Sequence, residues 1–112
     1  MSTALIANLE KLIGTARDGA LLRYSLGSEY LKAGDCARAI ARLREAVEKD
    51  AAYSAAWKLL GRALIEADRQ AEALEAFERG ISVAKAKGDK QALKEMTVFA
   101  QRLRRRCGEQ PG

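Results

Sequence analysis

Trp57-Lys58-Leu59-Leu60-Gly61-Arg62-Ala63-Leu64, followed by Ala71-Glu72-Ala73-Leu74-Glu75-Ala76-Phe77, is the stretch that decides the fold, because its pattern also occurs 34 residues earlier. Leu60-Gly61, Leu64, Ala67, Ala71, Ala73, Leu74, Phe77 and Ile81 answer to Leu26-Gly27, Tyr30, Ala33, Ala37, Ala39, Ile40, Leu43 and Val47. A period of this length implies stacked supersecondary units rather than one globular weave. Stacks of that kind present an extended shared surface, which suits binding better than chemistry.

Working outward, the rest of the chain agrees with an all-α stack. Of 112 residues, 48% are hydrophobic but only 5% aromatic, so the core must be built mainly from Ala, Leu, Ile and Val. The one proline is Pro111, which leaves every longer segment free to be helical. No run of alternating β-branched residues suggests a strand. The length sets one domain. Stop and start residues divide it into six helices: 3–13, 19–33, 36–49, 55–67, 70–86 and a last one to about 106. Ser2 or Thr3, Asp18, Asp35, Ser54 and Asp89 are the expected N-caps, and Gly14, Gly34 and Gly88 the expected ends. Short connections make neighbours antiparallel.

The repeat runs backwards as well. Ile6, Leu9 and Ile13 stand 34 residues before Ile40, Leu43 and Val47. Residues 3–14 therefore read as a packing helix, the second half of a unit that is otherwise missing. Leu5 and Leu12 fill places held by Ala39 and Ala46 further on, where no earlier helix crowds them. The boundaries that follow are 20–53 for one unit, 54–87 for the next and 89–106 for a cap helix. That last helix, with Leu93, Met96, Ala100 and Leu103, falls in register only if about two residues are inserted near Lys87-Gly88.

The runs Trp57-x-x-Leu60-Gly61-x-x-Leu64…Ala73-x-x-x-Phe77 and Leu26-Gly27-x-x-Tyr30…Ala39-x-x-x-Leu43 resemble the tetratricopeptide repeat. The resemblance implies a superhelix of helix pairs with Gly27 and Gly61 at the closest approach within each pair, opposite the small Ala39 and Ala73. Arg23 departs from the family pattern where Trp is favoured. Ala51 and Lys85 stand where Pro is usual, and Gly80 replaces a small Ala.

Such a stack lines its concave side with the first helix of each unit. If Leu26, Leu60, Tyr30 and Leu64 face the core, helical geometry turns Tyr24, Ser28 and Leu31 to the groove, with Lys32 beside them. Lys58, Arg62 and Ile65 take the same steps in the second unit. Two cations beside a tyrosine and two aliphatics suit a peptide or protein segment with an acidic group and apolar anchors. Some members of the family hold an acidic C-terminal tail in a carboxylate clamp. Lys58 and Arg62 resemble part of that set, but Ser28 stands where Asn is expected and a clamp draws on three units.

Other functions find less support. No histidine is present, so the commonest general base and metal ligand is missing. No phosphate-loop, dinucleotide, zincin or nucleophile-elbow motif occurs. The expectation is a non-enzymatic adaptor without cofactor or metal. A self-associating protein that pairs a second copy through the Met96/Phe99 side of the last helix is the alternative. A nucleic-acid role for Arg102, Arg104, Arg105 and Arg106 is weaker, because those charges also suit the negative end of a helix dipole. Cys36 and Cys107 share no metal or redox spacing, which fits a reducing compartment. With no apolar run long enough for a membrane span or leader, the expected location is the cytoplasm.

Overall fold

Three kinds of local signal start and stop the helices in the computed structural model, which describes residues 2–107. The elements are α1 (Ser2–Glu10), α2 (Ala20–Lys32), α3 (Cys36–Lys49), α4 (Ser54–Glu66), α5 (Gln70–Lys87) and α6 (Lys90–Cys107). Asp35 caps α3 by accepting from the Arg38 N–H at 3.2 Å, and Asp89 caps α6 by accepting from the Ala92 N–H at 3.1 Å. Left-handed residues end α2 and α4 alike. Gly34 has φ +82°, and Asp68, the same place in the repeat, has φ +60°. In each turn an N–H reaches back across it: Asp35 to the Tyr30 carbonyl at 2.9 Å, Arg69 to Leu64 at 2.8 Å. Aspartate is among the few residues that tolerate this conformation, which is why the turn survives without glycine.

Two expected caps do other work. Asp18 does not cap α2; Gly19 occupies that position without a side-chain bond. The Asp18 carboxylate instead accepts from the Gly14 N–H at 2.9 Å and takes two bonds from Arg23. Ser54 lies inside α4, with Tyr53 at the cap position, and its hydroxyl donates to Asp89 at 3.3 Å. The first helix is also shorter than its counterpart. It stops at Glu10, and tight turns at 11–14 carry the chain to Gly14, whose φ is +83°.

Packing proceeds by neighbours. Each helix lies against the next in sequence, and α2 with α4, then α4 with α6, meet along one side. The stack measures 49 × 29 × 19 Å with a radius of gyration of 14.5 Å, above the ~13 Å of a compact chain of this length. Leu26, Leu43, Leu60, Leu64, Phe77 and Met96 are the largest fully buried side chains.

Close approach needs glycine at three crossings. A Cβ on Gly27 would lie 2.7 Å from Leu43 Cδ2, and one on Gly61 would lie 2.5 Å from Phe77 Cζ. The surface opposite each glycine is therefore Leu43 or Phe77, a correction to the expected Ala39 and Ala73, which are buried nearby. Gly80 is the third: a Cβ there would lie 2.8 Å from Trp57 Cβ and would strike Met96. The departure at Gly80 is thus what lets α5 touch both α4 and α6.

The last helix continues the repeat with a shifted phase. Met96, Thr97 and Ala100 fall 36 residues after Leu60, Gly61 and Leu64, which fits the two-residue insertion. Met96, Ala100 and Leu103 are buried, and the Phe99 ring stacks on Phe77 with centroids 5.0 Å apart. The face expected to pair with a second copy is therefore occupied within the chain. Thr97 can replace glycine because no described helix crosses α6 there.

A chain of ion pairs fixes the N-terminal end. Arg23 bridges Asp18 (2.7 Å) and Glu45 (2.6 Å); Arg42 bridges Glu45 (2.8 Å) and Glu10 (2.9 Å). Tyr30 donates to Glu10 at 2.6 Å. Arg23, which departs from the family's Trp, thus replaces an apolar contact with a charged one. For Glu10 and Glu45, burial would raise the carboxyl pKa, but hydrogen bonds from Tyr30 and Arg42, or from Arg42 and Arg23, outweigh it and hold both low. Asp18 is held low by the Arg23 bond and then by the Gly14 N–H. A lowered folded pKa stabilises the fold above the ordinary carboxylate range and ceases to do so as pH falls through the folded value. The melting temperature is expected to fall between pH 6 and pH 3, and to fall less steeply for Glu10→Gln. Parallel pH dependences for the two proteins would exclude this source.

Candidate functional site

The groove begins with α2 and α4, whose inward faces are fixed by Leu26, Tyr30, Leu60 and Leu64 in the core. Their opposite faces bound a recess of about 260 Å³ lined by Ser28, Leu31, Lys32, Leu59, Arg62 and Glu66. Four of the expected site residues meet here: Ser28, Leu31, Lys32 and Arg62. Leu31 and Leu59 supply apolar walls, Ser28 a hydroxyl, and Arg62 a charge that can be delivered in a forked geometry. Arg62 is exposed and forms no ion pair among the described residues. Lys32 is exposed too, with only a long 3.3 Å contact to Glu29. Glu66 is the one acidic group on the wall, four residues after Arg62.

The other expected site residues sit elsewhere. Lys58 is held by Glu95 of α6, Nζ to Oε1 at 2.6 Å, and Gln91 donates to the second oxygen of that carboxylate at 3.0 Å. Bonds from Lys58 and then Gln91 hold the Glu95 carboxyl below its usual pKa. Lys58 therefore ties two helices together and is not an open cation, a correction to its expected place as a solvated groove residue. Ile65 is half-buried against the core and lines neither recess on this side. Tyr24 stacks obliquely on Tyr53 with centroids 5.0 Å apart. It lines a neighbouring recess of about 320 Å³ between α1 and α2, together with Leu5, Leu9, Ser25, Ser28 and Glu29.

Several of these residues were missed in the sequence. Leu59 could have been found, since it lies three before Arg62 on the same helical face. Leu21, 67% exposed, lies seven residues before Ser28 and so shares its face. The part played by Leu5 and Leu9 has no sequence signal, because it depends on where α1 sits.

Several charges on other surfaces are matched within the chain. Between α3 and α5 a recess of about 220 Å³ carries Arg44, Glu48, Glu72, Glu75 and Arg79 beside Trp57. Arg44 and Arg69 both bind Glu72, at 2.9 and 2.7 Å, while Arg79 lies 5.6 Å over the Trp57 ring. Of the C-terminal arginines, Arg104 pairs with Glu78 at 3.2 Å, and Arg102 and Arg106 are exposed. Cys36 is a half-buried free thiol, whereas the side chain of Cys107 lies outside the described residues. Among the described residues no His, Cys, Asp or Glu cluster could hold a metal ion. No described helix is long and apolar enough to cross a membrane.

The tetratricopeptide repeat profile matches residues 24–89, from within α2 through α5 to Asp89, the cap of α6. The chain belongs to the tetratricopeptide-repeat family. A TPR repeat-containing protein of Pseudomonas aeruginosa is 50% identical over 101 residues, which is 90% of this chain and 96% of the relative. A solution structure of a protein from Bordetella parapertussis superposes with a TM-score of 0.77 at 37% identity, covering 91% of this chain and 89% of that one. A tetratricopeptide repeat domain protein from Salinibacter ruber follows at TM-score 0.71 and 30% identity, over 76% and 86%. Domains of this family serve in general as non-enzymatic protein–protein interaction modules. The fold and the general role of the repeat family thus stand together.

Proposed function

We propose that this repeat domain is an adaptor that takes an acidic segment of a partner protein in the recess between α2 and α4. Arg62 carries the reading: it is an exposed guanidinium without an ion pair among the described residues, set between two leucines and beside Lys32. Arg44, Arg69 and Lys58 are each already held by a glutamate. A guanidinium beside apolar walls receives a carboxylate in two parallel bonds, while the leucines exclude water around it. Lys58 contributes indirectly by fixing α6 against α4. The pattern is not that of a full carboxylate clamp, since one of its two resembling cations is engaged within the chain. A reducing cytoplasmic setting fits the free thiol at Cys36.

The clean variant is Arg62→Glu, because reversing Lys58 would also break the contact between α4 and α6. Arg62→Glu should weaken binding of a fluorescent oligoglutamate peptide at least tenfold with helicity unchanged. Charge reversal at Arg102 and Arg106 should leave that affinity within about twofold at fixed salt. If the C-terminal variant loses the peptide and Arg62→Glu keeps it, the groove is not the site. A steep salt slope for random DNA with wild type, lost only in the C-terminal variant, would favour nucleic acid instead.

A further inference from the structure

We propose that the recess between α1 and α2 is the apolar half of one continuous binding surface. Its occupant is an extended partner segment with an aliphatic side chain about three residues from an acidic one. This deepens the reading above and rests on Arg62 as the seat of the acid.

Position in the repeat explains why this recess is apolar and open. Ala39 and Ala73 are fully buried because α2 and α4 cover them, but Leu5, their counterpart in α1, is 43% exposed. Leu9 is half-buried, whereas its counterparts Leu43 and Phe77 are fully buried. No described helix covers α1 on that side. The recess accordingly has two leucines on one wall and Tyr24 on the other.

Ser28 lines both this recess and the one that holds Arg62, so the two lie on either side of α2 and meet over a small side chain. A chain can cross α2 there, with the serine hydroxyl free to bond its backbone. Troughs that flank one helix are separated by about one interhelix spacing, roughly 8–10 Å. An extended segment of the polyproline-II type rises about 3.1 Å per residue with three residues per turn, so side chains three apart share one face and cover roughly 9 Å. Residues three apart on a helix are only about 5–6 Å apart and would not reach. Charge fixes the direction. The α1 side offers neutral groups and Glu29, which Lys32 approaches, and so repels an acid. The α4 side sets Arg62 and Lys32 against the single Glu66, a net positive lining.

The test is a titration of the ¹⁵N-labelled full chain, followed by amide chemical shifts, with a short Gly/Ser peptide bearing one Leu and one Glu three positions later. Shifts are expected at Leu5, Leu9 and Tyr24 as well as at Arg62. Replacing the peptide's Leu with Gly should weaken binding about tenfold and silence Leu5 and Leu9 while Arg62 still responds. In the protein, Leu5→Ser should weaken only the Leu-bearing peptide, and its exposure makes the variant safe for the fold. Equal affinity with and without the peptide's Leu overturns the apolar half but leaves the Arg62 reading standing. Equal affinity when the Leu is moved next to the Glu overturns the extended crossing. No binding of either peptide removes both readings. Shifts at Leu5 that depend on protein concentration alone would assign the recess to a second copy and overturn the proposal.

Discussion

Gly61→Ala is expected to lower the stability of the domain even though alanine is the better helix former. Alanine gains about 1 kcal/mol of helix propensity over glycine in a helix interior. Against that gain, the new Cβ would lie 2.5–2.7 Å from three atoms of the Phe77 ring, which is fully buried and stacked on Phe99. The ring cannot turn aside without displacing α6. Overpacking of a filled core costs about 1–3 kcal/mol, so the alanine variant should be a net loss. Gly61→Leu should reach or pass the upper end and lower the melting temperature by roughly 10 °C or more. Combining Gly61→Ala with Phe77→Leu should recover part of the loss, because the two residues share one volume and their effects do not add. A Gly61→Ala melt at or above wild type would show that α4 and α5 need no such close approach.

The second large effect is expected on removing residues 1–14. Ile6, Leu9, Leu12 and Ile13 pack against the core. Full burial of one such side chain is worth about 1.5–3 kcal/mol, so four half-buried ones contribute roughly 3–6 kcal/mol before entropy. Deletion would also strip Glu10 from Tyr30 and Arg42, which leaves the Tyr30 hydroxyl without its acceptor and Arg42 with Glu45 alone. For a domain whose total stability is on the order of 5–15 kcal/mol, that loss brings unfolding or aggregation within reach. Light scattering and a thermal melt of the truncated chain check it. A monomer with unchanged melting would mean that α1 is an appendage.

The repeat was legible because its signals are local and periodic. Small residues at Gly27, Gly61, Ala39 and Ala73, with aliphatics at helical spacing between them, fix both helix type and the pairing of neighbours. Even the shifted phase of α6 could be read, since Met96 and Ala100 keep the spacing of Leu60 and Leu64. Helix ends were read less well where one side chain had two possible partners. Asp18 has the composition of a cap, yet Arg23 and the Gly14 N–H hold it, because two bonds from a guanidinium outweigh one from a backbone N–H.

The candidate site was legible in half. Arg62, Ser28, Leu31 and Lys32 follow from one helical face, which sequence alone determines once the core positions are known. Lys58 lies on nearly the same face, but its partner Glu95 is 37 residues away, so only the packing of α6 decided that it is engaged. Likewise, Leu5 and Leu9 line an open recess only because α1 lies beside α2 with nothing described covering its outer side. Period, helix type and facing are properties of neighbouring residues, and the sequence by itself determined them. Which charge is free and which leucine stays open depend on contacts between distant segments, and those the tertiary structure alone decided.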